Sequence, residues 1–291
     1  MQELISKAAT LLEALPYIQK FSGATFVVKY GGSFMDSPDV TVRQGVARDI
    51  VFLEAVEINP VIVHGGGKAI TRAMEQAGLK ATFIQGQRVT DERTARIVDE
   101  VLSRSINPEI VDAINSLGGA AEGFAGPEIF RCRKITVKSP EGEDLDIGCV
   151  GEVTEVNIAP LLQCIARGVT PVISPTARGE DGRIHNCNAD VAAAMTAAKL
   201  QARRLVFMSD VPGLMRDPKD PATLISHLRI DEVPELKRLG IVDKGMIPKV
   251  DSAITALQAG VEKVSFVDGR LPHAVLLEIF TDAGVGTEVV L

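Results

Sequence analysis

The sequence predicts an α/β protein built on a parallel sheet covered by helices, and three observations carry that expectation. Short apolar runs such as Phe26-Val27-Val28 and Val61-Ile62-Val63 alternate with longer segments of helical periodicity, the rhythm of strand–helix–strand crossovers. Two of those runs pass almost directly into glycines, at Gly31-Gly32 and at Gly65-Gly66-Gly67, which suits a tight passage from a strand end into a helix. The 291 residues are 46% hydrophobic and 24% charged, an ordinary globular composition with enough material for about two domains.

Leu4, Ala8, Leu11 and Leu15 recur at helical spacing, widened by Ile5 and Leu12, and predict an amphipathic helix over 3–20. Pro16 predicts a bend or break near 12–16, because a proline inside a helix removes a backbone donor. This helix precedes the first strand, so its apolar face packs either on another subunit or on its own domain. A strand over 25–30 follows, then a helix from Pro38 to Glu57, with Ser37 as N-cap and Pro38 at the first helical position. A strand over 60–64 and a helix from Lys68 to Ala77 come next. Thr90-Asp91-Glu92-Arg93 opens another helix, and Asn107-Pro108 begins one that ends at Gly118-Gly119. Residues 129–157 read as strands parted by turns such as Pro140-Glu141-Gly142-Glu143-Asp144. A helix over 158–167 leads into a strand from Thr170 to Ser174, and the polar run Arg178 to Arg183 marks a domain boundary. Beyond it the alternation resumes, with helices over 188–200, 231–239, 246–259 and 273–282 and strands over 204–209, 263–267 and 287–291.

The net charge is −7 and the pI about 5.3, and the densest basic run is only Arg131-Cys132-Arg133-Lys134. Nucleic acid is thereby disfavoured as a partner. Cys132, Cys149, Cys164 and Cys187 are widely spaced and read as free thiols in a reducing cytosol. His64, His185, His227 and His273 form no i, i+4 pair, so no protein metal site is expected. The N-terminus lacks the features of a signal peptide and no apolar run reaches a membrane span; the chain reads as cytoplasmic.

Lys29 sits at the end of an apolar run and is followed closely by Gly31-Gly32. Neither common nucleotide loop fits these glycines. A P-loop aligned on Gly67-Lys68 finds Ile62 where its first glycine belongs and Ala69 after the lysine. A dinucleotide fingerprint anchored on Gly65 and Gly67 finds Ile70 in place of its third glycine. Ser33 fails the nucleophile-elbow pattern. One glycine loop is as well explained by a tight turn, but two at the ends of consecutive parallel strands would bring Lys29 with Gly31 and Gly32, and His64 with Gly65 and Gly66, to face one crevice. There backbone N–H groups and a helix N-terminus favour phosphate or carboxylate. His64 is read as a structural hydrogen-bonding residue with no proton chemistry.

Six segments in order, VVKYGGS (27–33), IVHGGG (62–67), GQRVTD (86–91), HNCNADVAAA (185–194), SDVPGL (209–214) and GMIPKV (245–250), resemble the amino acid kinase family over essentially the whole chain. The match is closest to the branch that phosphorylates N-acetyl-L-glutamate. The resemblance implies a three-layer αβα sandwich with a largely parallel central sheet. Residues 22–182 would form the acceptor lobe and 183–291 the ATP lobe. It implies transfer of the γ-phosphoryl of ATP to the side-chain carboxylate of N-acetyl-L-glutamate, with Mg²⁺ held mainly by ATP phosphates and waters. The nucleophile is already ionised at neutral pH, so no general base is required. Lys29 and Lys249 would flank the moving phosphoryl, with Asp190 between them. Gly31 and Gly32 would meet phosphate; Gly65, Gly66 and Asn186 would contact substrate; Arg88 would clamp the α-carboxylate with its planar fork. Ser209, Asp210, Gly213 and Leu214 would border the adenine nucleotide. A solvated helix lysine for Lys249, a dipole-favoured N-terminal acid for Asp190 and a surface salt bridge for Arg88 are the plain alternatives. Cys187 and Ser209 depart modestly from the family pattern without removing a charged group.

Arginine-inhibited members resemble this chain in a kinked helix before the first strand and in a C-terminal run like Glu278-Ile279-Phe280-Thr281 with Gly284-Val285-Gly286-Thr287. The resemblance therefore implies that residues 1–21 serve oligomerisation and arginine regulation, in a hexamer built as a trimer of dimers. Tyr17, His273, Glu278 and Gly286 are the candidates for L-arginine, and binding of a PII-type protein stays open. The rival readings are another kinase of the family acting on uridylate, carbamate, aspartate or glutamate, a nicotinamide-dependent oxidoreductase, and a non-catalytic arginine binder. Arg88 and the C-terminal run, the failed fingerprint at Ile70, and the presence of Lys29, Asp190 and Lys249 argue against these in turn.

Overall fold

A computed structural model describes every residue except 33, 34, 36–38, 140, 141 and 244, and the side chains of residues 2, 3 and 7. The expected cap Ser37 and first-turn Pro38, Ser33, and the Pro140-Glu141 pair thus lie outside the described residues.

Helix α1 (Gln2–Phe21) leads to β1 (Thr25–Tyr30), α2 (Val40–Ala55), β2 (Asn59–His64) and α3 (Gly67–Gln76). A two-stranded hairpin, β3 (Phe83–Ile84) and β4 (Gln87–Arg88), precedes α4 (Glu92–Val101), a π-helical segment Leu102–Ile106 and α5 (Asn107–Ser116). The middle of the chain holds β5 (Ala121–Phe124), α6 (Gly126–Ile129), β6 (Phe130–Lys138), β7 (Asp144–Val156), α7 (Ala159–Ala166), β8 (Thr170–Ile173), β9 (Thr176–Gly179) and β10 (Ile184–Cys187). The last part runs α8 (Ala189–Lys199), β11 (Arg204–Ser209), β12 (His227–Arg229), α9 (Val233–Arg238), α10 (Met246–Gln258), β13 (Lys263–Asp268), α11 (Ala274–Ile279) and β14 (Thr287–Val290).

One eight-stranded sheet, in the order β12-β14-β13-β11-β1-β2-β8-β5, spans both halves of the sequence. All its pairings are parallel except β13 with β14. Strands β1 and β2 are buried along nearly their whole length, as expected where helices cover both faces. Alternate side chains feed two cores: Val27, Val61, Val63, Leu205 and Phe207 pack with α8 and α10. Val28, Tyr30, Ile62, Val206 and Met208 pack with α2, α5 and α11. This is the three-layer sandwich that the motifs imply. A closed barrel of β10, β7, β6 and β9 lies outside the sheet.

Several expected boundaries shift. Helix α1 continues through Pro16 without a break. Leu4, Ile5, Leu11 and Leu12 stay exposed, while Tyr17 packs against the α2 and α11 core and Phe21 is buried in it. Helix α2 is capped by Asp39, whose side chain accepts from the Thr41 amide. Helix α11 stops at Ile279. The run Arg178–Arg183 closes the β9–β10 hairpin. β11 pairs with β1, so the two halves share one sheet. The four cysteines are buried and free. Among the described residues no helix is long and apolar enough to cross a membrane.

Two glycines test the packing in opposite directions. A Cβ on Gly126 would lie 2.0 Å from the Thr176 carbonyl oxygen and 2.4 Å from that of Ser174, both backbone atoms. Gly45, inside α2, has nothing within 4 Å of such a Cβ. Gly126→Ala should cost roughly 1–3 kcal/mol, and Gly45→Ala should add up to about 1 kcal/mol, read as shifts in the denaturant midpoint.

Candidate active site

Lys29 lies near the carboxyl end of β1 on the face covered by α8. Asp190 lies in the first turn of α8, whose N-cap Asn188 accepts from the Asp190 and Val191 amides. Lys249 stands in the first turn of α10, and the three meet. The Asp190 carboxylate receives Lys249 Nζ at 2.7 Å on Oδ2 and Lys29 Nζ at 3.0 Å on Oδ1. The first contact is a directed hydrogen bond; the second is close enough for an ion pair but falls outside hydrogen-bond geometry, leaving Oδ1 without a directed donor. All three side chains are at most 16% exposed. Burial pushes the Asp190 carboxyl up, but the two ammonium groups outweigh it and bring it down to about 2. Burial lowers the Lys249 ammonium, Asp190 opposes that, and Lys29 adds to the lowering.

The glycine loops are shaped by what surrounds them. A Cβ on Gly31 would sit 2.5 Å from Lys29 Nζ, so only glycine lets the lysine curl over the loop. Gly32 has φ 145°, a conformation open mainly to glycine. A Cβ on Gly66 would lie 2.4 Å from Ile106 Cδ1 and 2.7 Å from Leu102 Cδ2, both on the π-helical segment. The Gly65 amide donates to the Tyr30 carbonyl at 2.7 Å, tying the two strand ends together. Its own hydrogen is thereby engaged, and the Gly66 amide is the one that opens α3. His64 does not open to the crevice as expected but is fully buried, with Nδ1 3.0 Å from the Gly65 carbonyl oxygen and Nε2 3.3 Å from Asn107 Nδ2. Burial lowers this imidazole to about 4, so it is neutral, as its structural reading requires.

Arg88 is 5% exposed. Its NH2 nitrogen donates to the Gly67 carbonyl at 2.9 Å and to Thr71 Oγ1 at 3.0 Å, its NH1 reaches Met74 Sδ, and the plane lies over the Phe83 ring. No carboxylate pairs with it among the described residues, and burial lowers its pKa. Asn186 is half-buried on β10, two residues before the Asn188 cap. A cavity of about 960 Å³ opens beside the glycine loops, where Gly32, Gly66, Gly67 and Asp210 line it. It lies on the α2 and α5 face, whereas the Lys29–Asp190–Lys249 cluster lies on the α8 face, so the two share the loops alone.

On the nucleotide side, Ser209 ends β11 with its hydroxyl 3.4 Å from the Val211 carbonyl, and Asp210 follows it, exposed. A Cβ on Gly213 would come within 2.5 Å of Thr287 Oγ1, and the Leu214 amide donates to that same oxygen at 2.8 Å. The Leu214 side chain is core. Three of the four arginine candidates gather where α1, α11 and the C-terminal loop meet. Tyr17 donates to Asp282 at 2.5 Å, and buried Glu278 accepts from the Val285 amide at 2.9 Å. A Cβ on Gly286 would strike the Phe266 carbonyl. His273 stands at the other end of α11 and bonds buried Asp49 at 2.6 Å. Sequence reasoning missed Asn107, Asp49 and Phe83: each is read by what it touches across the fold, and the visible Asn107-Pro108 signal spoke only of a helix start.

A family model described as the amino acid kinase family matches residues 24–268. Acetylglutamate kinase of Akkermansia muciniphila is 47% identical over 289 residues, covering 99% of this chain and 96% of that protein. The acetylglutamate kinase of Heliobacterium modesticaldum is 46% identical, covering 99% of each. Among solved structures, N-acetylglutamate synthase from Neisseria gonorrhoeae, complexed with coenzyme A and N-acetyl-glutamate, superposes with a TM-score of 0.84 at 24% identity. The match takes in 98% of this chain but 63% of that longer protein. Carbamate kinase from Giardia aligns with a TM-score of 0.65 at 16% identity, over 92% of this chain and 99% of that one. Those two likenesses bear on the fold, a largely parallel sheet between helical layers. The near-full-length identities and the family match together settle membership: this chain belongs to the amino acid kinase family.

Proposed function

We propose that this protein transfers the γ-phosphoryl group of ATP to the side-chain carboxylate of N-acetyl-L-glutamate, giving an acyl phosphate and ADP, in the cytoplasm. The observation that carries the reading is the buried Asp190 carboxylate between Lys29 and Lys249 beside two glycine loops. The similarity to acetylglutamate kinases over nearly the full chain supplies the acceptor.

Phosphoryl transfer to a carboxylate brings two anions together, and the enzyme's contribution is position and charge. Asp190 neutralises one of the two ammonium groups, so the cluster keeps a net positive charge to receive phosphoryl oxygens. Its two oxygens hold the lysines apart and oriented. Gly31, Gly32 and the Gly66 amide complete the cradle. Arg88, a buried guanidinium with no carboxylate partner among the described residues, suits the substrate α-carboxylate, and half-buried Asn186 would contact the same substrate. Ser209, Asp210, Gly213 and Leu214 form the loop after β11 that would border the nucleotide. Mg²⁺ would neutralise the ATP phosphates, with phosphates and waters as its main ligands.

A regulatory reading accompanies this one. The exposed apolar stripe of α1 supports a hexamer built as a trimer of dimers joined through that helix. The meeting of Tyr17, Glu278 and the loop at Gly284–Gly286 supports L-arginine as inhibitor at this end of the molecule, with Gly286 in the loop and His273 acting from the other end of α11.

Hydroxylamine trapping with MgATP tests the reaction: acyl phosphate should form with N-acetyl-L-glutamate and not with glutamate, aspartate or UMP, and turnover of another acceptor would overturn the assignment. In that assay Lys249→Ala should lower kcat about 100- to 1,000-fold. Arg88→Lys, which keeps the charge but loses the bidentate fork, should raise KM for N-acetyl-L-glutamate about tenfold or more while leaving that for MgATP little changed. A chain starting at residue 22 should sediment as a smaller oligomer and lose inhibition by L-arginine; a truncated hexamer would refute the assembly.

A further inference from the structure

His64 and Asn107 lie behind the glycine loop, where neither touches the Lys29–Asp190–Lys249 cluster. The hydrogen bonds around them determine which ring nitrogen carries the proton. Asn107 Nδ2 lies 2.9 Å from the Val172 carbonyl oxygen. A carbonyl can only accept, so this atom is the amide nitrogen and not the oxygen. Asn107 Oδ1 lies on the other side, over Gly123, where a Cβ would approach it to 2.1 Å. The second hydrogen of Nδ2 points to His64 Nε2 at 3.3 Å, which must therefore present a lone pair. In a neutral ring the proton then sits on Nδ1, and Nδ1 donates it to the Gly65 carbonyl at 3.0 Å.

That carbonyl shares a peptide group with the Gly66 amide. The group is planar and trans, since no cis peptide occurs among the described residues, so its C=O and N–H point in opposite directions. With the oxygen held against a buried ring, the Gly66 N–H is turned away from the core, toward the open side of the loop. It donates to no group among the described residues. Leu102 and Ile106 close the other side of Gly66, so the peptide has little room to rotate. Glycine would otherwise leave it free to do so.

We propose that His64 and Asn107 are positioning residues for phosphoryl transfer: by fixing the proton on Nδ1 they lock the Gly65–Gly66 peptide and aim the Gly66 N–H at the transferring group. The inference rests on the proposed reaction and adds to it a way of pre-setting one donor. A donor that needs no reorientation at the moment of reaction gives the larger electrostatic benefit.

Two replacements of His64 separate this role from simple core filling. Asparagine places an amide nitrogen near the position of Nδ1 and keeps the donor to Gly65, although it leaves more empty space. Glutamine matches the size of the ring better and can accept from Asn107, but it has no donor at the Nδ1 position. His64→Asn should stay within a few-fold of wild-type kcat, while His64→Gln and His64→Leu should lose about ten- to hundredfold in kcat with KM nearly unchanged. If His64→Gln is the more active of the two, or if all three lose kcat alike, the positioning role is overturned. Long-range ¹H–¹⁵N correlation on the wild-type protein with labelled histidine needs no variant: a proton on Nδ1 of His64 is expected, and a proton on Nε2 overturns the inference. Wild-type turnover in the same assay is the control for the reaction. A wild-type protein without it overturns the proposed function, whereas an active wild type with an inert His64→Asn overturns the positioning role alone.

Discussion

Everything in the site depends on one buried carboxylate holding two ammonium groups apart. An ionised carboxyl in an interior is costly unless its charge is compensated. Asp190 is compensated twice, so it stays ionised well below the ordinary aspartate range. The reverse holds for the lysines. Burial and the neighbouring Lys29 charge both lower the Lys249 ammonium, and Asp190 opposes them. With one negative and two positive charges the cluster keeps a single net positive charge, compact and fixed, which is what an incoming phosphoryl group needs. Its geometry comes from three elements at once, the end of β1 and the first turns of α8 and α10, so the cluster exists only when both halves of the shared sheet are assembled.

The second constraint is backbone direction. Glycine loops allow close approach to a ligand but leave the peptide planes free to rotate, and a freely rotating donor contributes little. Here the freedom is removed from behind. Tyr30 takes the Gly65 amide, His64 takes the Gly65 carbonyl, and the π-helical segment walls in Gly66. A π-helical segment packed on a ligand loop agrees with the tendency of such segments to occur at functional sites. The neutral state of His64 is part of this arrangement, because the ring serves as a fixed donor on one side and a fixed acceptor on the other.

The far end of the molecule shows a different balance. α1 is tethered by its C-terminal third, through Tyr17 and Phe21, and through Arg203, which donates to the Lys20 carbonyl at 2.6 Å. Its N-terminal turns leave apolar residues in solvent. Buried Glu278 and Asp49, each engaged with a neighbouring segment, join α11 to the C-terminal loop and to α2. Contacts made at α11 therefore reach both α1 and α2.

By itself the sequence determined the elements with strong local signals and the chemistry carried by spaced motifs. The alternation of apolar runs and helical stripes located the parallel strands, because a strand buried on both faces must be apolar along its length. The six ordered motifs located Lys29, Arg88, Asp190 and Lys249 as candidates. Short or locally weak elements escaped it, including the β3–β4 hairpin, β5, β10 and the Asp39 cap: strands of two to four residues are too short to show a period, and β5 is defined only by its pairing with β8 across the fold. It expected a break at Pro16 where α1 continues, because a local propensity cost can be overridden by packing on α11. Only the tertiary structure decided that Asp190 touches both lysines, at sequence separations of 161 from Lys29 and 59 from Lys249. It also decided that Arg88 is buried without an acidic partner and that His64 meets Asn107 at a separation of 43 residues. Hydrogen-bond direction and burial are properties of groups brought together by the fold, and no local pattern in the chain encodes them.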